Sequence, residues 1–395
     1  MAAAATRVCS NCGAAHRISR AHTVKRLLLL GGGHSHVEVL RQFGARPPTG
    51  VEVTLASPLR DTPYSGMLPG LIAGHYNYRE CHVDLEPLAR HAGARFLQAP
   101  AGSLDAARRA ATLADGTAID YDIVSIDVGA TPAAGGVPGA AEHAIAVKPV
   151  AAMLTAWNAL IERAHAGGVR KIAVVGGGAA GVEILLAMQY RLAQQLAPDA
   201  VHYALITDAD QILPGHNFGV RAAFQRVFDE RQVEVHLASL AVRVEPHVVI
   251  AANGKRVEAD AILWATGATA PPQLGNTGLM LDPDGFIAVN EHLQSLSHPE
   301  VFAAGDCATI HGPAYPKSGV YAVRQGPPLA ENLRRALAGK PLVTYRPQRR
   351  ALALISTGDK YAVASYGPLV LKGAWVWNWK NYIDRKFMAK YNGPA

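Results

Sequence analysis

Along this chain apolar residues gather in short continuous runs that end on glycine, with polar residues filling the gaps between them. Leu27-Leu28-Leu29-Leu30 follows the basic pair Lys25-Arg26 and breaks into Gly31-Gly32-Gly33. A run that short, without polar alternation and bounded by glycine, reads as a strand buried on both faces of a parallel sheet. Helical spacing resumes from Val37 to Phe43, the turn-like Pro47-Pro48-Thr49-Gly50 follows, and Val51 to Leu55 reads as a second strand. The same order returns at Lys171 to Val175, with Gly176-Gly177-Gly178-Ala179-Ala180-Gly181, a helix to about Leu192 and the apolar run His202 to Ile206. The two units lie about 145 residues apart, beyond the roughly 20–50-residue period of a solenoid, so they read as a duplicated domain. Further on, Leu342 to Ser365 predicts two or three strands, and Trp375 to Tyr391 predicts one amphipathic helix.

Diphosphates bind where backbone N–H groups are bare and a helix presents its positive end. Glycines there give the tight turn, the close approach of phosphate and close helix–strand packing. Gly176-x-Gly178-x-x-Gly181 supplies all three, after a strand and before a helix, the context in which this pattern points to a dinucleotide. The first unit departs from it. Gly31 and Gly33 are present, but His36 stands where the third glycine is expected, with His34 nearby; a histidine there must push the helix outward or turn its ring aside. At the end of the second strand Ala56-Ser57-Pro58 replaces the acid expected on an adenosine ribose. The Ser57 hydroxyl bonds a ribose more weakly than a carboxylate does.

Two later segments join these turns. Asp260 to Gly267 is a strand ending in Ala-Thr-Gly, and Val301 to Asp306 is a strand ending in Gly305-Asp306. In this order the four segments resemble the pyridine nucleotide-disulfide oxidoreductase superfamily from about residue 24 onward, most nearly its type II NADH dehydrogenases and sulfide:quinone reductases. More narrowly, Gly31 to Leu40, Thr62 to Gly70 and the tail from Leu354 to Lys380 look like the flavoprotein module fused ahead of selenide, water dikinase. The fold so predicted is α/β: two Rossmann-like, three-layer dinucleotide-binding domains, the second inserted in the first, plus a small C-terminal α+β region. Residues 1–23 read as a disordered extension, 24–150 and 281–345 as the FAD-binding domain, 151–280 as the NAD(P)H-binding domain, and 346–395 as C-terminal strands and helix.

The resemblance also implies roles. Gly31 and Gly33, with His34 and His36 beside them, would hold the FAD diphosphate, Asp306 after Gly305 the ribityl chain, and Tyr64, Ser65, Gly66 and Met67 the isoalloxazine ring. Gly176, Gly178 and Gly181 would hold the NAD(P)H diphosphate, Gly267 the exit of that unit, and Glu183 the neighbourhood of the nicotinamide. Asp208, following the strand that ends at Ile206, suits a free ribose 2′-hydroxyl and favours NADH over NADPH. Lys317 and Lys148 have two readings: a positive charge stabilising anionic reduced flavin, or a solvated surface lysine. Disulfide reductases of this class need two cysteines a few residues apart after the first glycine turn. Here Cys81 is alone and Cys307 directly follows Asp306, so hydride is expected to pass to the flavin and on to a quinone-like acceptor without a thiol relay. A reductase of a sulfur or selenium species linked to selenium metabolism is the alternative, and a flavoprotein scaffold without turnover, suggested by His36 and Ser57, is a third.

Charge changes the picture little. The formal net charge is +7, but residues 1–26 carry +5 and residues 372–395 carry +4, leaving −2 for the body between them. Basic ends on a near-neutral body do not make a nucleic-acid face. Four cysteines exclude a disulfide scaffold and make a reducing cytoplasm the default. The acid-free first 26 residues fit a disordered extension or, by composition alone, a transit peptide. Cys9-x-x-Cys12 with His16 is half a zinc knuckle without a second pair, so no metal is expected. In the tail, Val376, Trp379, Ile383 and Phe387 share one helical face bordered by Lys and Arg. That face reads either as an interfacial helix on the inner surface of the cell membrane or as a helix docked on the body or in a homodimer contact.

Overall fold

Lys25–Leu30 is the central strand of a five-stranded parallel sheet, in the order Val301–Ala303, Ile123–Ile126, Lys25–Leu30, Val51–Ser57, Arg95–Gln98. A computed structural model of the chain describes residues 24–132, 136–313 and 315–392. The extension read over 1–23, with Cys9, Cys12 and His16, lies outside the described residues. The four leucines of the central strand are each at most 2% exposed, and each contributes roughly 1.5–3 kcal/mol by burial. Alternation sends Leu27 and Leu29 into one core and Leu28 and Leu30 into another. The first core lies under helices His34–Ala45 and Gly319–Leu337; the second lies under the antiparallel sheet Ala101–Asp105, Ala110–Leu113, Ala118–Asp120.

The second unit repeats this plan. Its parallel sheet runs Ile145–Ala146, Ala261–Trp264, Lys171–Val175, His202–Ile206, Glu234–His236. Ile172 and Val174 face helices Val150–His165, Ala179–Ala193 and Phe218–Glu230, while Ala173 and Val175 face a second three-stranded antiparallel sheet. Strand Val301–Ala303 returns to the first sheet after the whole second unit, so the second unit is inserted in the first. The crossings come earlier than expected. Ile145–Ala146 already pairs in the second sheet, and Leu274 and Leu279 already pack in the first unit's core.

The C-terminal strands are Ala353–Ser356, Ala362–Tyr366 and Leu369–Gly373, later in the chain than the expected Leu342 to Ser365. The long tail helix Ala374–Asn392 does not turn the predicted face outward as a block. Val376, Trp377, Lys380, Asp384, Met388 and Tyr391 are buried, whereas Trp379 and Ile383 are 37% exposed. The inward face is set by one apolar start, one ion pair and one aromatic end, and the helix thereby bridges to the first unit. The C-terminal sheet is pinned to the second unit at its tip. There Arg231 donates to the Thr357 carbonyl and pairs with Asp359 at 3.2 Å, and a Cβ on Gly358, whose φ is +89°, would lie 2.1 Å from the Leu186 carbonyl oxygen. Gly358→Ala is expected to cost roughly 2–4 kcal/mol of stability through left-handed strain plus overpacking, read as a lowered denaturant midpoint. A loss below roughly 0.5 kcal/mol would contradict this docking.

Candidate functional site

Each parallel sheet delivers its first strand to a glycine turn and a helix start. In the first unit Gly31 has φ +94°, and a Cβ there would lie 2.3 Å from the Asp127 carbonyl oxygen. Gly33 is the residue before helix His34–Ala45 and has no side-chain cap. His36 turns its ring into the turn. The ring is 0% exposed; Nδ1–H donates to the Gly31 carbonyl at 2.7 Å, and Nε2 accepts from the Ser125 hydroxyl at 2.8 Å. These partners fix a neutral tautomer, and burial pushes the imidazole down to about 4. The sequence motif lacks its third glycine because an imidazole fills that space and bonds the turn from beneath.

His34 lies on the open side. Its ring meets Tyr64 edge-on at 5.6 Å and Phe387 at 6.0 Å, its Nε2 is buried without a partner, and burial pushes it down to about 4. Asp306, in the turn Gly305–Cys307, accepts from Lys148 Nζ at 2.9 Å. Lys317 is not a free surface cation. Its ammonium donates to the Ala308 carbonyl at 2.7 Å and the Thr309 hydroxyl at 2.8 Å, 3.7 Å above the Phe286 ring. Lys317 and Asp306 line one cavity together with Tyr315, Ser318 and Gln325. Ser57 ends its strand beside Gly32, with its hydroxyl donating to the Leu59 carbonyl at 2.9 Å.

In the second unit Gly176 has φ +125°, and a Cβ there would lie 2.5 Å from the Ala265 carbonyl oxygen. A Cβ on Gly181 would lie 2.0 Å from the Gly176 carbonyl oxygen, so this glycine lets helix Ala179–Ala193 sit on its strand. Nothing stands within 4 Å of the Cβ position of Gly178, and the helix has no side-chain cap and no acid in its first turn. Its first amides therefore have no acceptor within the helix, a cradle suited to a diphosphate. Asp208 is exposed past the strand end, next to Thr207, whose hydroxyl lies 2.7 Å from the Cβ position of Gly177. Gly267 follows strand Ala261–Trp264 and is exposed, while the Thr266 hydroxyl is buried without a partner.

The two units meet at the tail helix. Glu183, on the second unit's helix, accepts from the Ser356 amide at 2.7 Å and hydroxyl at 3.0 Å, and burial raises its pKa against the pull of Lys380. Lys380 donates to the Gly66 carbonyl at 2.6 Å and to Asp384 at 2.7 Å. Asp384 is itself raised by burial and faces the Tyr64 hydroxyl. Tyr64 stacks on Phe387 at 4.2 Å; Ser65 and Gly66 continue the turn, and Met67 is packed in the core. Sequence reasoning missed Lys380, Asp384, Ser356, Ser125 and Asp127. An i,i+4 Lys–Asp pair inside an aromatic helix and an acid directly after an apolar strand were the available signals. Among the described residues, both cysteines are buried, and burial pushes both thiols up to about 12. Neither is a thiolate at neutral pH.

A family model described as pyridine nucleotide-disulphide oxidoreductase matches residues 25–326. The chain belongs to this family. The NADH dehydrogenase-like protein YutJ of Bacillus subtilis is 24% identical over 375 residues, covering 91% of this chain and 99% of that protein. The type II NADH:quinone oxidoreductase of Haemophilus influenzae is 27% identical over 220 residues, 51% of this chain and 49% of that enzyme, so the match spans about half of its length. Among solved structures, the sulfide:quinone oxidoreductase of Aquifex aeolicus superposes with a TM-score of 0.78 at 20% identity, covering 93% of this chain and 92% of that one. NDH2 from Plasmodium falciparum with NADH superposes with a TM-score of 0.75 at 15% identity, covering 94% and 99%. Both share this chain's fold.

The two buried imidazoles give a pH signature. In an NMR titration His34 and His36 are expected to stay neutral down to about pH 4. An exposed imidazole takes its proton near 6.5, so their contribution to folding stability is complete above about pH 6.5 and is lost as pH falls toward about 4. A midpoint near 6.5 for His36 would contradict the buried, doubly bonded ring.

Proposed function

We propose that this chain is an FAD-dependent NADH dehydrogenase that passes electrons to a quinone-like acceptor without a protein thiol. The observation that carries the reading is the meeting of Glu183, from the second glycine-turn unit, with the Tyr64–Gly66 turn of the first, through Lys380. FAD, when bound, supplies the hydride-accepting and electron-passing chemistry. Gly31 and Gly33 form the turn that would take its diphosphate, with His34 and His36 at the same helix start. Asp306, held by Lys148, serves the ribityl chain, and Ser57 stands at the strand end that serves the adenosine ribose. Tyr64, Ser65 and Gly66 border the flavin ring, with Met67 anchoring the turn in the core, and Gly305 keeps its own turn tight.

Gly176, Gly178 and Gly181 leave room for the NADH diphosphate at the second helix start, with Gly267 open on its far side. Asp208 accepts from a ribose 2′-hydroxyl and would repel a 2′-phosphate, which favours NADH over NADPH. Glu183 stands on the nicotinamide side of the junction, where burial raises its carboxyl above the usual carboxylate range. Lys380 and Asp384 form a buried cation–carboxylate pair that fixes the Gly66 carbonyl of the turn. Lys317 supplies a fixed positive charge near Asp306.

The outward row Trp375, Trp379, Tyr382 and Ile383, with Leu369 and Leu371 on the preceding strand, is 37–63% exposed and is flanked by Lys372 and Lys386. Such a surface suits peripheral contact with an anionic bilayer, on the cytoplasmic face of the membrane, where a quinone would be reached. Among the described residues no helix is long and apolar enough to cross one.

Steady-state NADH oxidation is expected with a soluble quinone, at a higher kcat/KM than with selenite or polysulfide; a preference for either of these would replace quinone with a selenium or sulfur acceptor. Glu183→Gln is expected to lower kcat by roughly 100-fold while FAD stays bound, and unchanged turnover would remove Glu183 from the chemistry. Wild-type protein is expected to float with anionic vesicles, and Trp375→Ser with Trp379→Ser to remain in solution. A wild type that stays behind as a dimer assigns the row to a second copy of the chain.

A further inference from the structure

The two helix starts differ in a second respect: the first already holds a carboxyl group. Asp127 directly follows strand Ile123–Ile126 and is 3% exposed. Its Oδ2 accepts from the Ser35 amide at 2.8 Å and the His36 amide at 3.3 Å, the second and third residues of helix His34–Ala45. Glycines frame this carboxylate. A Cβ on Gly33 would lie 2.2 Å from its Cγ, and a Cβ on Gly305 would lie 2.3 Å from its Oδ1. The bareness of these two glycines thus houses the Asp127 carboxyl as well as opening the turn. The second helix start has no counterpart: Ala265 stands against Gly176 as Asp127 stands against Gly31, and Gly178 faces open space.

On the reading that the FAD diphosphate is held at this turn, two anions converge on one short set of amides, away from bulk water. Two unscreened negative charges at that spacing repel strongly, whereas a protonated carboxyl keeps an acceptor for the amide and gains an O–H donor for a phosphate oxygen. We propose that binding of the FAD diphosphate at this helix start is coupled to uptake of one proton by Asp127, so that flavin retention weakens as the solution becomes alkaline.

The surroundings support this coupling. Burial, the largest cause, holds the Asp127 carboxyl at about 7, against the His36 and Ser35 amides, with Asp306 raising it further. From the first helix it is faced by His34 and His36, both neutral above about 4. One turn further on, Glu38 is held down to about 2 by Arg41 and Lys390 despite its burial. The Gly305 turn brings the Asp306–Lys148 ion pair and the Cys307 thiol, which burial keeps protonated up to about 12. Lys317 lies beyond that turn, bound to Ala308 and Thr309. Strand Ile123–Ile126 and helix Gly319–Leu337 contribute the uncharged Ser125 and Gln325, the latter accepting from the Gly305 amide at 2.6 Å. His34 Nε2, buried without a partner at the same helix start, is a second polar atom left for a ligand.

The test equilibrates the holoenzyme at about pH 6 and about pH 8, dilutes it, and measures flavin passing an ultrafiltration membrane. One-proton linkage from a starting value of about 7 gives roughly tenfold weaker retention at the higher pH. Asp127→Asn keeps the amide acceptor but cannot ionise, and its retention is expected to be the same at both. As a measurement that needs no variant, mixing FAD with wild-type apoprotein in weak buffer at about pH 8 is expected to take up nearly one proton per flavin bound. Flavin held equally at both pH values with no proton uptake, or an Asp127→Asn protein that keeps the wild-type dependence, overturns the coupling and leaves the FAD assignment standing. A protein that holds no flavin at any pH overturns both.

Discussion

Two helix starts, each behind a glycine turn at the end of a buried parallel strand, govern this molecule. The parallel sheets exist to deliver them: each central strand is buried on both faces, so its end is fixed against the helix that follows. At the second start this is done with glycine alone, Gly181 letting the helix settle onto the Gly176 carbonyl and Gly178 leaving open space. At the first start the same frame is completed by an imidazole below the turn and a carboxylate beside it, so the site is pre-filled with polar groups that respond to pH.

The tail helix turns two adjacent binding units into one junction. Lys380 reaches the Gly66 carbonyl from one side and Asp384 from the other, with both side chains nearly withdrawn from water. Removing one member of such a pair leaves an uncompensated buried charge, at a cost of roughly 3–5 kcal/mol. The helix is therefore held inward by electrostatics as well as by Val376 and Met388. Its outward row of Trp375, Trp379, Tyr382 and Ile383 is left free to meet another surface.

Much of this was legible in the residues themselves. The leucine run, the two glycine turns and the strand ending in Gly305-Asp306 carry local signals, because a buried parallel strand and a phosphate turn each demand particular residue types at fixed spacing. What depends on distant pairing was not legible. Periodicity alone put Val376, Trp379, Ile383 and Phe387 on one face, but the buried Lys380–Asp384 pair rotates the helix so that Trp379 and Ile383 face out. His36 looked like an obstruction because its partner Ser125 lies 89 residues away. Asp127 drew no attention because a lone acid at a strand end acquires meaning only once Gly33 and Gly305 close around it.

The most direct measurement is a crystal structure of the protein with FAD and NADH bound. The expected result has one diphosphate over the Gly31–Gly33 turn and the other over Gly176–Gly181, with flavin and nicotinamide facing each other between Tyr64 and Glu183. A diphosphate bound away from either turn, or rings too far apart for hydride to pass, would contradict it.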